Sequence, residues 1–360
     1  MLNKNQIDEI KEHIEKAQNP VFFFDNDPDG LCSFLLLYRS SQKGKGVPVK
    51  GSAKQMVSYF GKVREFESDY IFILDKPEVS QEFFEKAREI NIPVVWIDHH
   101  FIEKEKILKD IFYYNPVFNY LENFDKEKKE SISGEPVTAL CYQITKRKED
   151  LWIAVAGCIS DMYLPDYYKE FVKEYPDLGI INFDSVSDIY YKSSLGTIIK
   201  IMGNGLKDKT TNVVGMLKFL MKVKSPYEFL DESDKNKTFH KRSKEIEEKK
   251  RRLIQKAKNM NINKEDKILF FEYGGDLSVS SDLSNELKYL FPEKVIVVIY
   301  NKGDGESNMS IRGTKVREPL ARVISDIDSA GGGGHEDAVG VKMNTEDIPF
   351  FKKRFSEEFL

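Results

Sequence analysis

The chain has 360 residues, 41% of them hydrophobic and 32% charged, which supplies real cores and excludes wholesale disorder. With 55 Lys and Arg against 59 Asp and Glu, the formal net charge is −4, so a globally basic nucleic-acid coat is excluded while a local basic stripe is not. Three widely spaced cysteines, Cys32, Cys141 and Cys158, exclude a zinc pattern or a disulfide framework and fit a reducing cytoplasm.

At roughly 100–200 residues per domain the length predicts two domains. The N-terminal MLNKNQIDEIKEHIEK is polar and helical, without the apolar core of a signal peptide. No apolar run approaches the ~18 residues of a membrane span. A soluble cytoplasmic protein with no membrane association is expected. Residues 21–24, 71–74 and 94–97 are short apolar runs between helical patterns, which predicts a parallel sheet covered on both faces. Each run ends at an aspartate: Asp25, Asp75 and Asp98. In open α/β sheets ligands bind beyond the carboxyl ends of the strands, so these carboxylates would share one crevice. Residues 151–160, LWIAVAGCIS, are apolar nearly all round and predict a buried helix, which also ends at an aspartate, Asp161.

From 163 to about 234 the pattern is less regular and reads as a helical extension of the first domain. Residues 235–258 hold eleven Lys and Arg and three Glu, a local charge of +8. Phe239, Ile246, Leu253, Ala257 and Met260 recur there as a narrow apolar seam, predicting a connector helix within 235–262. A second α/β unit is expected over 263–360. It has strand-like runs at 268–273 and 295–300 around a helical SDLSNELKYLF and a short strand at 309–312. A helix at 316–327, the loop AGGGGHEDA, the strand AVGVKM and a closing helix at 348–360 complete it. The first domain would thus occupy 1–234.

Three patterns point to chemistry. Asp25-Asn26-Asp27-Pro28-Asp29-Gly30 sets carboxylates at alternate positions, which suits a hard divalent cation. A calcium loop of the D-x-D-x-D-G kind needs a bidentate Glu at its twelfth position, where this chain has Leu36, and an entering helix where this chain has a strand. A solvated turn is the plain alternative. Asp98-His99-His100 follows a strand directly; adjacent strand residues face opposite ways, so both imidazoles reach one site only if the strand has ended. Imidazole mixed with carboxylate favours manganese, iron or zinc over calcium. With Asp75 and Asp161 added, the crowded carboxylates cannot all stay ionised without cations among them. Two divalent ions ~3.5–4 Å apart are an apparatus for phosphoester hydrolysis. Finally, Gly331-Gly332-Gly333-Gly334-His335 lacks the Lys-Ser/Thr of an NTPase phosphate loop, yet its backbone N–H groups can approach an anion closely. Ser310-Ile311-Arg312-Gly313 offers a guanidinium suited to bidentate phosphate contact.

Together DNDPDG, LDKP with Asp75, Asp98-His99-His100, GCISD ending at Asp161, SIRG and GGGGH make the chain resemble the DHH phosphoesterases with a DHH-associated C-terminal domain. Within them it is similar to the archaeal RecJ-like nucleases. The resemblance implies an α/β fold, with an N-terminal parallel-sheet domain joined by a long helix to a smaller C-terminal α/β domain. It implies two divalent ions, manganese or alternatively magnesium, held by Asp27, Asp29, Asp75, His99 and Asp161. Some family branches carry a histidine a little before Asp25, where this chain has Phe23, which leaves Asp25 either a ligand or a support behind the ligands. His100 would face the scissile phosphate, and Asp98 would hold an imidazole's second nitrogen. Arg312, His335 and the backbone of Gly332, Gly333 and Gly334 would grip a nucleotide phosphate. The activity implied is exonucleolytic hydrolysis of single-stranded DNA or RNA, with replication or repair proteins, or a second copy of the chain, as further partners. The alternatives are a nanoRNase or 3′-phosphoadenosine phosphatase, and a non-catalytic scaffold. The scaffold is disfavoured because no metal-motif position is lost.

Overall fold

In the computed structural model, which describes residues 1–51, 53–102, 111–121, 134–260, 265–334 and 336–359, the N-terminal apolar runs pair into one parallel sheet. The first of two units, Met1–Ser243, opens with α1 (Lys4–Lys16), β1 (Val21–Asp25), α2 (Pro28–Ser41) and β2 (Lys45–Val49). Then come α3 (Ala53–Met56), α4 (Gly61–Glu65), β3 (Ile71–Leu74), α5 (Gln81–Glu89), β4 (Val94–Ile97) and β5 (Phe112–Tyr114). Helices α6 (Val117–Leu121), α7 (Val137–Thr145) and α8 (Leu151–Ser160) follow. The irregular stretch is helical as expected: α9 (Tyr168–Glu174), α10 (Val186–Lys192), α11 (Ser194–Leu206), α12 (Thr210–Leu220) and α13 (Pro226–Leu230).

The strand order is β2-β1-β3-β4-β5, every neighbour parallel. Alternation along the strands sorts their side chains into two cores. Phe22, Phe24, Phe72, Leu74, Val95 and Ile97 pack with α2, α7 and α8, whereas Val21, Phe23, Ile71, Ile73, Val94 and Trp96 pack with α4 and α5. Coverage on both faces is why the runs are continuously apolar. β2 and β5 escape a sequence reading because Lys45 and Pro48 interrupt the first and the second has three residues. An edge position tolerates that proline. The order reverses between β1 and β3, where doubly wound sheets open a crevice.

Asp27 caps α2, accepting Gly30 N–H at 2.9 Å, with Pro28 at the first helical position. The turn is tight: a Cβ on Gly30 would lie 2.5 Å from Asp25 O. α8 is buried through Ile159, and Gly157 lets it meet α7, since a Cβ there would lie 2.2 Å from Thr138 Oγ1. Buried Arg39 ties the helical extension to α2 by donating to Asp150 Oδ1 at 2.6 Å and to Leu220 O and Val223 O.

α14 (Lys237–Lys258) contributes Phe239 to the core of the first unit and Ile246, Leu253, Ile254 and Ala257 to that of the second, Lys244–Leu360. Met260, read as part of the seam, lies past the end of the helix and is 44% exposed; Ile254 belongs to the seam instead. The second unit holds β6 (Ile268–Gly274), α15 (Ser280–Leu290), β7 (Val295–Asn301), β8 (Glu306–Arg312), α16 (Arg317–Ile324), β9 (Gly331–Gly334), β10 (Ala338–Asn344) and α17 (Ile348–Glu357). Their order is β6-β7-β8-β10-β9, with only β6 and β7 parallel.

Two expectations change here. The strand expected at 309–312 starts at Glu306, because Ser307 and Asn308 continue its alternation of buried and half-buried residues. The glycine run is an edge strand, not a loop, paired antiparallel to β10. Glycine is demanded by the pairing: a Cβ on Gly332 would lie 2.5 Å from Gly340 O, and Gly334 has φ +145° with Ala338 O 2.4 Å from its Cβ position. No helix among the described residues is long and apolar enough to cross a membrane.

Candidate metal centre

The ends of β3 and β4 place the first donors. Asp75 N–H donates to Ile97 O at 3.0 Å, and Asp75 then turns into the left-handed region at φ 58°, which aspartate tolerates better than most residues. Its side chain is buried. One strand along, Asp98 N–H donates to Tyr114 O at 3.0 Å, and the strand has ended by His99. Both imidazoles therefore come together, with ring centroids 4.3 Å apart. His99 Nδ1–H donates to Gly134 O at 3.4 Å, which leaves Nε2 as the lone-pair nitrogen. That Nε2 stands 3.4 Å from Asp75 Oδ1 and 3.8 Å from Asp161 Oδ2. His100 Nδ1–H donates to the fully buried Asp98 carboxylate at 2.9 Å.

The first motif splits three ways. Asp27 stays at the cap of α2. Asp29 accepts Val137 N–H at 3.0 Å and Thr138 N–H at 2.8 Å, and so caps α7, whose own N-cap Pro136 has no side-chain acceptor. Asp25 pairs with Lys76 Nζ at 2.6 Å.

The donor set fits a divalent cation. Ligand atoms of Asp29, His99 and Asp161 all lie within 4.8 Å of one another, as do those of Asp75, His99 and His100. Atoms ~2.0–2.2 Å from one ion lie ~3–4 Å from each other, and the contacts at His99 Nε2 fall in that range.

The protonation pattern agrees. Burial, then the charges of Asp25 and Asp29, push Asp27 up to about 8. Burial with Asp29 and Asp27 raises Asp75 well above the ordinary carboxylate value. Asp161 keeps 44% of its side chain exposed, and desolvation with the Asp29 charge lifts it only to about 6. Desolvation lowers His100, but the Asp98 charge and hydrogen bond, then Asp161 and Asp29, outweigh it and raise the imidazole to about 9. Metal-free, this crevice holds protons where cation charge would otherwise sit.

In the second unit Arg312 donates to Asn285 Oδ1 at 2.5 Å and Ser281 Oγ at 3.0 Å, both on α15, and to Ile311 O at 2.8 Å. Gly332, Gly333 and Gly334 are exposed on β9, and His335 lies outside the described residues. Two carboxylates from outside the basic run of α14, Asp276 and Glu286, offset part of its charge of +8, while its own glutamates, already counted, pair locally. Lys250 is buried between Glu247 and Glu286, Lys249 pairs with Asp276, and Arg251 and Arg252 both pair with Glu248. Glu247 and Glu248 lie three or four residues away on the same helix, where such pairs form. Sequence reasoning missed Val137, Thr138 and Gly134, whose backbone groups hold Asp29 and His99, because backbone partners leave no motif. Lys76 was signalled only by its place in LDKP.

Residues 21–159 match the profile described as the DHH family, N-terminal domain, and residues 265–359 match the DHHA1 domain, together more than half of the chain. No functionally curated protein matches the sequence. Among solved structures, RecJ from Thermus thermophilus in complex with Mn2+ aligns at a TM-score of 0.66 and 14% identity, over 98% of this chain and 54% of that one. The chain thus spans about half the length of that protein. An exonuclease RecJ bound to manganese aligns at 0.63 and 15%, over 99% and 94%. A pGpG-specific phosphodiesterase, PggH from Vibrio cholerae, aligns at 0.51 and 12%, over 95% and 98%. At these identities the likeness is one of fold.

Proposed function

The chain belongs to the DHH phosphoesterase family and carries a DHHA1 domain, and from that premise we propose that it hydrolyses phosphodiester bonds of single-stranded nucleic acid from an end, using divalent ions. The observation that supports this most is the convergence of Asp75 and Asp161 on His99 Nε2, with Asp29 beside them. Manganese suits the mixed imidazole and carboxylate donors, with magnesium the alternative. In this reading Asp27, Asp29, Asp75, His99 and Asp161 hold two ions. When bound, such ions supply Lewis-acid charge and lower the pKa of water towards neutrality.

The chain's own residues do the rest. Gly134 O fixes the tautomer of His99, and the backbone of α7 orients Asp29. His100, whose Nδ1–H donates to Asp98 and is oriented by it, faces the scissile phosphate in this reading and offers it a hydrogen-bond donor. Arg312, His335 and the glycines Gly332, Gly333 and Gly334, exposed on the edge strand β9, take a substrate phosphate. No covalent step is assigned to Cys32, Cys141 or Cys158, which are buried with thiols pushed above their ordinary range. Such an activity would serve DNA repair, replication or RNA turnover in the cytoplasm.

A second reading, hydrolysis of very short oligonucleotides or mononucleotides, gains from the paired charges of α14 and from the fold likeness to a pGpG-specific phosphodiesterase. Incubating 5′- and 3′-labelled DNA and RNA, from dinucleotides to strands of about 20 nucleotides, with Mn2+ separates the two. Stepwise trimming of long strands supports the first reading. Cleavage confined to the shortest substrates supports the second, and no cleavage of any substrate overturns both.

A further inference from the structure

Lys76 follows Asp75 at the end of β3 and is 5% exposed. A lysine so buried needs a counter-charge. Its ammonium lies 2.6 Å from Asp25 Oδ1 and donates to Gly51 O at 3.4 Å; among the described residues no other carboxylate pairs with it. The backbone around it is held by β4, since Trp96 Nε1–H donates to Lys76 O at 3.0 Å and Asp75 N–H to Ile97 O.

Asp25 contributes to neither of the two donor clusters among the described residues. Alternation along β1 puts it on the face of Phe23, towards the core of α4 and α5. Asp29, in contrast, reaches the start of α7 in the opposite layer, and Asp161 ends α8 there.

We infer that Lys76 is a positioning residue of the metal centre: it keeps Asp25 as its own counter-ion and out of the ligand set. Ligation then falls to Asp27, Asp29, Asp75, Asp161 and His99. The fixed ammonium also offsets one carboxylate of the crevice without a metal, which limits how strongly the site draws cations. Without Lys76, Asp25 is left with no paired cation among the described residues and strengthens the pull on a bound ion. This inference rests on the metal-dependent reading above.

The test is calorimetric titration of Mn2+ into metal-stripped protein at about pH 8, with folding checked by circular dichroism. Asp25→Asn alone leaves the ammonium uncompensated and should weaken binding by about tenfold. Lys76→Met should tighten binding by about tenfold, and Asp25→Asn combined with Lys76→Met should cancel that tightening. Lys76→Arg, which keeps the charge, should bind as wild type does. If the variant carrying both substitutions binds about tenfold or more weaker than wild type, Asp25 is a ligand and the inference falls. It falls equally if Lys76→Met weakens binding whether residue 25 is Asp or Asn, which is how a merely structural lysine behaves. Should Lys76→Met fail to fold alone, its combination with Asp25→Asn, which removes both charges of the buried pair, decides. A wild-type protein that binds no Mn2+ would overturn the metal reading itself, and this inference with it.

Discussion

Asp75 is buried, left-handed at φ 58° and 3.4 Å from His99 Nε2. Removing its carboxylate by Asp75→Ala should cost at least ~10³-fold in turnover, since a misplaced ion loses most of its effect on the transition state. A folded Asp75→Ala protein with near wild-type rates would take the residue out of the site. Asp27 gives a second measurable sign. Its carboxyl is raised from 3.8 to about 8, so the unfolded chain ionises it first while the folded protein keeps the proton. The metal-free protein therefore has this group's full stabilisation below about pH 4 and loses it as pH rises to about 8. Asp75 is shifted in the same direction. Mn2+ displaces those protons, so the rise in Tm on adding Mn2+ should grow with pH over that window. An increment that does not change with pH would mean the ion binds elsewhere. Which residues are acidic at the strand ends was legible from the sequence. Which of them pair with backbone or with lysine was not, because a carboxylate's partner is chosen by the face on which it emerges.

Glycine is poor in strands, so the sequence of β9 carries no strand signal; pairing with β10 overrides that preference, and the close approach at Gly332 and Gly334 admits nothing larger. Gly334→Ala should destabilise the second unit by ~1–3 kcal/mol, read by chemical denaturation. Gly333→Ala, whose methyl group meets nothing within 4 Å, should not. Equal losses at both positions would contradict the pairing. α14 shows the opposite case. Its periodicity predicted the helix correctly, but its charge count overstated the cationic surface, since buried Lys250 is spent on Glu247 and Glu286. The exposed cations near its end, Lys256 and Lys258, are better candidates for contact with a long strand. Changing both to Gln should slow cleavage of a strand of about 20 nucleotides while sparing a dinucleotide, and should reduce the salt slope by up to ~0.7 per lost contact. Equal effects on both substrates would leave α14 a spacer.

Two units with separate cores imply separable roles. Arg312 belongs to the second, and every candidate ligand belongs to the first. Arg312→Ala should weaken nucleic-acid binding and leave Mn2+ titration unchanged; loss of metal binding in that variant would refute the division. Excess chelator should abolish hydrolysis by the intact protein, with Mn2+ restoring it better than Ca2+. The sequence alone determined the parallel sheet and the acidic strand ends, because continuous apolar runs and short motifs are local and survive without knowledge of neighbours. It also determined the second α/β unit and the helix before it by the same local periodicity. Only the tertiary structure decided that Asp29 meets the start of α7, 108 residues further along the chain, that Asp25 belongs to Lys76, and that the glycines form an edge. Those choices depend on which layers pack together and which way each strand turns its side chains, and a local pattern carries no record of either.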